Sequence, residues 1–257
     1  MNSYFKYAVK IRLMIPVFGR DSYCSGAPDK RVYAIDKLGH HALGCPRGGG
    51  THSRHHEVSC VILEEAKAAG LRPRSDCANL IPLSQSRPAD IFIPIWSQNR
   101  GIALDVSIVV PPRSQLSHSS SKDINGAAGD AFLCVDEAYR LKRAKHLENC
   151  KSVNLLFEPI IFDVAGMCHP SSLAVLKDLS RRRAAREGSE DDFCVNRFLQ
   201  RLSVAVQSGN GRAMLHHLDH LRLKSVSIPD SLSASGTRLG PTVQQAPQTD
   251  CRNSREK

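Results

Sequence analysis

Two apolar runs separated by five turn-forming residues constrain the fold most. Ile91–Trp96 (IFIPIW) and Ile102–Val110 (IALDVSIVV) flank the segment Ser97–Gly101 (SQNRG). Short runs rich in β-branched residues and bounded by turn residues form a hairpin whose strands are largely buried on both faces. Pro111 and Pro112 end the second strand, because proline brings no amide to a ladder. A doubly buried hairpin needs helices on its faces, and the flanking sequence has helical periodicity. Glu57–Gly70 puts Val58, Val61, Ile62 and Ala66 on one stripe and Gly70 at the C-terminal cap.

Further elements follow from the same rules. Tyr4–Leu13 reads as an amphipathic helix that ends before Pro16. Cys45–His56, with three consecutive glycines, reads as a loop, and residues 71–88 and 113–129 as polar connections. A helix is expected over Asp130–Cys150, then a strand over Val153–Val164 bent at Pro159. The next helix starts near Pro170, with Ser171 or Ser172 as its cap and Leu173, Leu176 and Leu179 inward. Phe193–Val206 and Met214–Leu221 read as two more helical segments. From Val226 onward the Ser, Pro, Gln, Thr and Arg content predicts a disordered tail. The order α-β-β-α-β-α implies an α/β fold with a mixed sheet flanked by helices. The expected divisions are an N-terminal helix (1–23), a Cys/His-rich segment (24–56), a core (57–185), C-terminal helices (186–225) and a tail (226–257).

Charge narrows the partners. A net charge of +10 and a pI near 9.3 suit a polyanion. No apolar run approaches the ~18 residues of a membrane span, and Lys6, Lys10 and Arg12 interrupt the N-terminal apolar stretch. The chain is therefore expected not to be secreted or membrane-bound. Its nine cysteines are read as reduced thiols, some buried and some able to bind metal.

Asp90 stands before the first hairpin strand and Asp105 inside the second. With a turn centred on Gln98 and Asn99, residue 92 faces 105 and residue 90 faces 107, so the two carboxylates are diagonal neighbours on one face. A carboxylate in an apolar strand needs a partner. Two close carboxylates repel unless a cation joins them, and Mg²⁺ or Mn²⁺ takes such oxygen ligands. The alternative is structural: Asp90 caps a turn, and Asp105 pairs with a basic residue such as Arg100 or Lys145.

The ordered set Asp36-x-x-Gly39-x-His41-Ala42-x-x-Cys45, Gly48-Gly49, Arg54-His55, Arg87-Pro88-Ala89-Asp90, Ile93-Pro94-x-Trp96 and Ala103-Leu104-Asp105-Val106 resembles the C-terminal part of non-LTR retrotransposon polyproteins. Lys142-x-x-Lys145 and Arg201-Leu202-Ser203-Val204-Ala205 fit the same pattern, which spans about Leu13 to Leu221. In that family a Cys/His knuckle precedes a restriction-endonuclease-like domain of the PD-(D/E)XK class. The resemblance implies a Mg- or Mn-dependent DNA endonuclease, with a catalytically inactive nucleic-acid-binding remnant as the alternative. It implies metal-binding roles for Asp90 and Asp105, and a helper carboxylate from Glu57, Glu64 or Glu65, with Glu64 preferred. Arg54, His55 and Arg87 are the expected nucleic-acid contacts. DNA is the expected partner, RNA the alternative, and the nucleus the expected location.

The chain departs from the family pattern twice. Ser107 stands where a lysine would orient the attacking water, so Lys142 or Lys145 is expected to supply the amine from a helix. Cys24, His41 and Cys45 match the knuckle, which implies zinc, but Ala27 stands at its second cysteine. His40, His52 or His55 could complete the four ligands that structural zinc takes. His216–Leu221 (HHLDHL) reads as a surface helix, and Trp96 as a packing residue. Arg181, Arg182, Arg183 and Arg186 read either as a phosphate grip or as a solvated helix end.

Overall fold

The computed structural model describes residues 3–13, 15–19, 22–25, 32–45, 50–75, 77–82, 87–111 and 124–226. Along the chain these form α1 (Ser3–Arg12), β1 (Ser22–Ser25), β2 (Val32–Ile35), α2 (His40–Gly44), α3 (Gly50–Ala68), β3 (Arg74–Ser75), β4 (Ile91–Ser97), β5 (Arg100–Val109), α4 (Ile124–Ser152), β6 (Leu156–Asp163), α5 (Pro170–Glu187) and α6 (Asp191–Val226). The tail expected to be disordered falls outside the described residues from 227 onward, as does Ala27.

The fold is mixed α/β, with a four-stranded mixed sheet in the order β3-β4-β5-β6 and helices on its faces. β4 runs antiparallel to β3 and β5, whereas β5 and β6 are parallel, from Ile102 opposite Leu156 to Val109 opposite Asp163. Parallel neighbours need a crossover, and α4 supplies it. Strand alternation sorts the core into two layers. Ile102, Leu104 and Val106 join Ile91, Ile93, Ile160 and Phe162 against Val58 and Ile62 of α3, Leu176 and Leu179 of α5, and Phe198 and Leu202 of α6. Ala103 and Phe157 face the other way, with Cys150 of α4, and Ile161 packs against Val135 and Tyr139 of the same helix. Asp105 shares the parity of Ala103 and therefore lies on the α4 face.

Proline is accommodated where the ladder leaves room. Pro159 lies in β6, an edge strand, where a missing amide is tolerated. Ser172 does not cap α5. Its hydroxyl donates to the Pro159 carbonyl at 2.7 Å and accepts from the Ile161 amide at 3.1 Å, tying helix to strand. The cap is His169, whose Nδ1 accepts from the Ser171 amide at 3.2 Å.

Three helical expectations change. α3 begins at Gly50, inside the glycine run that read as a loop. α4 begins at Ile124, inside a segment that read as a connection. The two C-terminal segments are one helix of 36 residues that runs through Ser208-Gly209-Asn210-Gly211. A Cβ on Gly209 would sit 2.5 Å from Cβ and Cγ of Arg54, so glycine permits the close crossing of α6 and α3.

Candidate functional site

The aspartate pair is closer than the turn alone implies. Near the turn, Ser97 faces Arg100 as expected, but Ile93 faces Ile102 and Ile91 faces Leu104. The register shifts around Pro94, where β4 carries extra residues. Extended by one residue, the pairing sets Asp90 opposite Asp105 rather than diagonal to it, a correction to the expected register. The Asp90 amide donates to the Leu104 carbonyl at 2.9 Å, and its carboxylate Oδ2 accepts from the Val106 amide at 2.7 Å. The side chain thus continues the ladder past the end of β4, satisfying an amide that has lost its strand partner.

Asp105 is buried, at 7% exposure. Lys142, from α4, reaches across the face: its Nζ donates to Asp105 Oδ1 at 3.0 Å and lies 2.9 Å from Oδ2. The buried Oδ2 receives no well-aligned hydrogen bond. His55 Nε2 lies 3.1 Å from Asp90 Oδ2. Burial pushes Asp105 above the usual carboxylate range; Lys142 opposes this and Asp90 adds to it. Burial also acts on Asp90, but the bonds from His55 and the Val106 amide, with the Lys142 charge, outweigh it and hold Asp90 below its ordinary value. The hydrogen bond to Asp90 raises His55, against the effect of its burial. Two facing carboxylates with displaced affinities for protons, beside an ammonium and an imidazole, form a polar group that can hold a cation, orient water or stabilise an anion.

Several predicted residues lie elsewhere. Lys145 is exposed, whereas Lys142, three residues earlier, meets Asp105. Glu64 pairs with Arg201 of α6 and does not join the aspartates. It lies nine residues beyond His55 on α3, about 13 Å along the axis. Glu57 pairs with Arg212, and the buried Glu65 with Arg183 and Ser180. His55, on the same helix, is the α3 side chain that meets Asp90. Ser107 lies in β5 opposite Ile161.

Arg54 is a correction. It is 1% exposed, and its guanidinium donates to Asn210 Oδ1 at 2.9 Å and to the Leu43 carbonyl at 3.0 Å. Burial lowers its pKa to about 10. It links α2, α3 and α6 and cannot reach a nucleic acid. Arg87 is exposed three residues before Asp90. Three arginines of α5 are engaged within the chain: Arg182 with Asp178 and the Trp96 ring, Arg183 with Glu65 and Glu187, and Arg186 with the last carbonyls of α3, whereas Arg181 is exposed. Trp96 is a packing residue of the core, as expected.

Cys24 on β1, His41 on α2 and Cys45 just beyond α2 come together with His217 of α6. Their ligand atoms all lie within 4.8 Å of one another, and among the described residues this Cys/His group could hold a metal ion. His217 is 5% exposed, which overturns the reading of its segment as a surface helix. His40 and His55 are not members, and neither is His52. The signal for where His55 and His217 lie was periodicity hidden by composition. His55, Val58 and Ile62 share a stripe once α3 starts early. Asn210, Ala213, Met214 and His217 recur at helical spacing on the buried side of α6.

No protein-family model matches the chain, and comparison with curated proteins returns no match.

Proposed function

We propose that the chain is a metal-dependent DNA endonuclease with a restriction-endonuclease-like core, derived from a non-LTR retrotransposon. The reading is carried by one observation: Asp90, Asp105 and Lys142, from three separate places in the sequence, meet on one face of the sheet. This is the acidic pair plus amine that the class requires, with the amine supplied by α4 in place of Ser107.

The donor set fits a hard divalent ion. Asp90 and Asp105 offer facing carboxylate oxygens, one of them buried without a well-aligned hydrogen bond. When bound there, Mg²⁺ or Mn²⁺ supplies Lewis acidity toward a scissile phosphate and its attacking water. The other roles fall to the chain itself. Lys142 places a positive charge beside the pair, where it can orient water and offset charge developing on phosphate. His55 fixes the Asp90 carboxylate through its hydrogen bond and can accept a proton when neutral. Arg87 is positioned to contact a backbone phosphate. DNA is the proposed partner, RNA the alternative substrate, and the nucleus the corresponding location.

A second reading, an inactive nucleic-acid-binding remnant, is favoured by a specific feature. Lys142 pairs with Asp105 and His55 bonds to Asp90, so each carboxylate already has a partner within the chain without an ion.

Plasmid nicking separates the two. Purified full-length protein is incubated with supercoiled DNA in Mg²⁺, Mn²⁺ or EDTA, beside Asp105→Asn and Lys142→Met. We expect nicking that needs the divalent ion, with activity reduced at least about 100-fold in either variant, the range in which a positioned acid–base or charge-stabilising group acts. Asp105→Asn conserves side-chain volume, so a retained unfolding transition assigns the loss to chemistry. Nicking that survives both substitutions overturns the nuclease site. A folded wild type inactive with every ion establishes the inactive reading.

A further inference from the structure

We propose that Cys24, His41, Cys45 and His217 hold one structural zinc ion. His217 brings from the C-terminal helix the fourth ligand that the Cys-x-x-Cys pattern lacks at Ala27. The ion then ties α6 to the β1–β2 hairpin and α2, and it is independent of the Asp90–Asp105 pair.

The geometry argues for a metal rather than a chance polar cluster. A lone buried cysteine is an ordinary small hydrophobe, and a lone buried histidine is commonly a packing residue. Here four ligand-type side chains converge from three segments of the chain. Cys24, Cys45 and His217 are 2%, 4% and 5% exposed. The Cys24 and Cys45 sulfurs are 4.0 Å apart. That is about twice a disulfide bond. It is close to the ~3.8 Å separating two thiolates on a tetrahedral zinc with Zn–S bonds of ~2.3 Å. The His41 and His217 rings stand edge to face, with centroids 5.8 Å apart. His217 Nδ1 lies 3.3 Å from the Ala213 carbonyl. In the tautomer that donates from Nδ1 to this carbonyl, Nε2 is the ligating atom and the carbonyl is the usual outer support of a metal-bound histidine. Two soft thiolates with two imidazoles select zinc over magnesium. Four protein ligands in a buried group leave no position for substrate, which marks the site as structural.

The surrounding packing brings His217 within reach. Gly39 precedes α2 with φ of 77°, and a Cβ there would lie 2.6 Å from Sδ of Met214 and 2.9 Å from the Phe18 ring. Only glycine lets the start of α2 approach α6 this closely, one helical turn before His217. Val17, Phe18, Ile35, Leu43 and Met214 enclose the group in their own small core.

Metal analysis of the purified full chain, followed by X-ray absorption at the zinc edge, tests the site. We expect one zinc per chain in a shell of two sulfur and two nitrogen ligands. A shell of two sulfurs and a single imidazole would remove one histidine from the site and overturn the proposal. So would failure to retain zinc after refolding in its presence. Both measurements use the unaltered protein and do not depend on a variant folding. In competition with a chelator, His217→Ala should bind zinc more than about 100-fold more weakly, since loss of even an outer-shell partner costs 10–100-fold. His217→Cys should retain it, and the exposed neighbour variant His216→Ala should match wild type. Wild-type affinity in His217→Ala counts against the proposal. Stripping the metal should raise amide exchange in α6 around Ala213–Leu218. Unchanged protection there would mean that the ion does not tie the helix.

Discussion

His146 shows how position on a helix sets the behaviour of a titrating residue. It is 4% exposed on α4, its ring tilted against Phe157 at 5.5 Å between centroids. Burial, then the charges of Lys145 and Lys142, lowers its pKa to about 4. A depressed folded value means that the unfolded chain takes up the proton first. Stability attached to this group is therefore present above its ordinary pKa of about 6.5 and lost as pH falls toward about 4. We expect up to about 1.4 kcal/mol per pH unit from this residue within that window. Carboxylates also titrate in that window, so the measurement is a difference: urea unfolding of wild type and His146→Leu at pH 7 and pH 4.5. The stability gap should move in favour of the variant at the lower pH, and an unchanged gap would contradict the assignment. The same scale explains Arg54. Its neighbours in sequence, histidines and glycines, mark a basic loop. Its neighbours in space, Asn210 and the Leu43 carbonyl, make it an interior strut.

Among the elements, α6 was hardest to read from the sequence. Two glycines and an asparagine in its middle argue for a break, because each interior glycine costs roughly 1 kcal/mol relative to alanine. The helix continues because small residues are needed where α3 and α1 cross it. Gly209→Ala tests which effect wins. Alanine recovers about 1 kcal/mol of helix propensity, but its Cβ would meet Arg54 Cβ and Cγ at 2.5 Å and Cα at 2.9 Å. Overpacking of this kind costs about 1–3 kcal/mol. We expect a net loss of up to about 2 kcal/mol, read as a lower urea midpoint. A midpoint at or above wild type would show that the crossing has slack. The β4–β5 hairpin lies at the other extreme. Its strands, turn and terminating prolines were legible because each is a local property. The shift around Pro94 was not, and it altered the relation between the two aspartates.

For the whole molecule, net charge is the property most exposed to a partner. A charge of +10 favours a polyanion. How many cations reach one depends on how many are engaged within the fold. Arg54 is buried, and Arg182, Arg183 and Arg186 are paired internally, whereas Arg87 is exposed three residues before Asp90. On the proposed function, DNA affinity should fall with salt. Arg87→Ala should flatten the slope of log K against log salt by about 0.9, the value of one phosphate contact. Arg182→Ala should leave the slope unchanged. Equal slopes for Arg87→Ala and wild type, measured by fluorescence anisotropy, would take Arg87 out of the interface.

What the sequence determined by itself was local: periodicity, turn chemistry and charge. These set the order of the larger elements from α3 to α5, the mixed sheet with its flanking helices, and the short list of candidate carboxylates, but not the β1–β2 hairpin, α2 or the two-residue β3. Tertiary structure decided which of those groups meet. Lys142 rather than Lys145 reaches Asp105 because only one of the two faces the sheet from α4. His55 rather than Glu64 faces Asp90 because α3 starts seven residues earlier than its sequence suggests. His217 joins Cys24, His41 and Cys45 from far along the chain because α6 packs against α1, α2 and α3. Side chains distant in sequence are brought together by packing of whole elements, and that packing depends on small residues such as Gly39 and Gly209, whose importance lies in what approaches them.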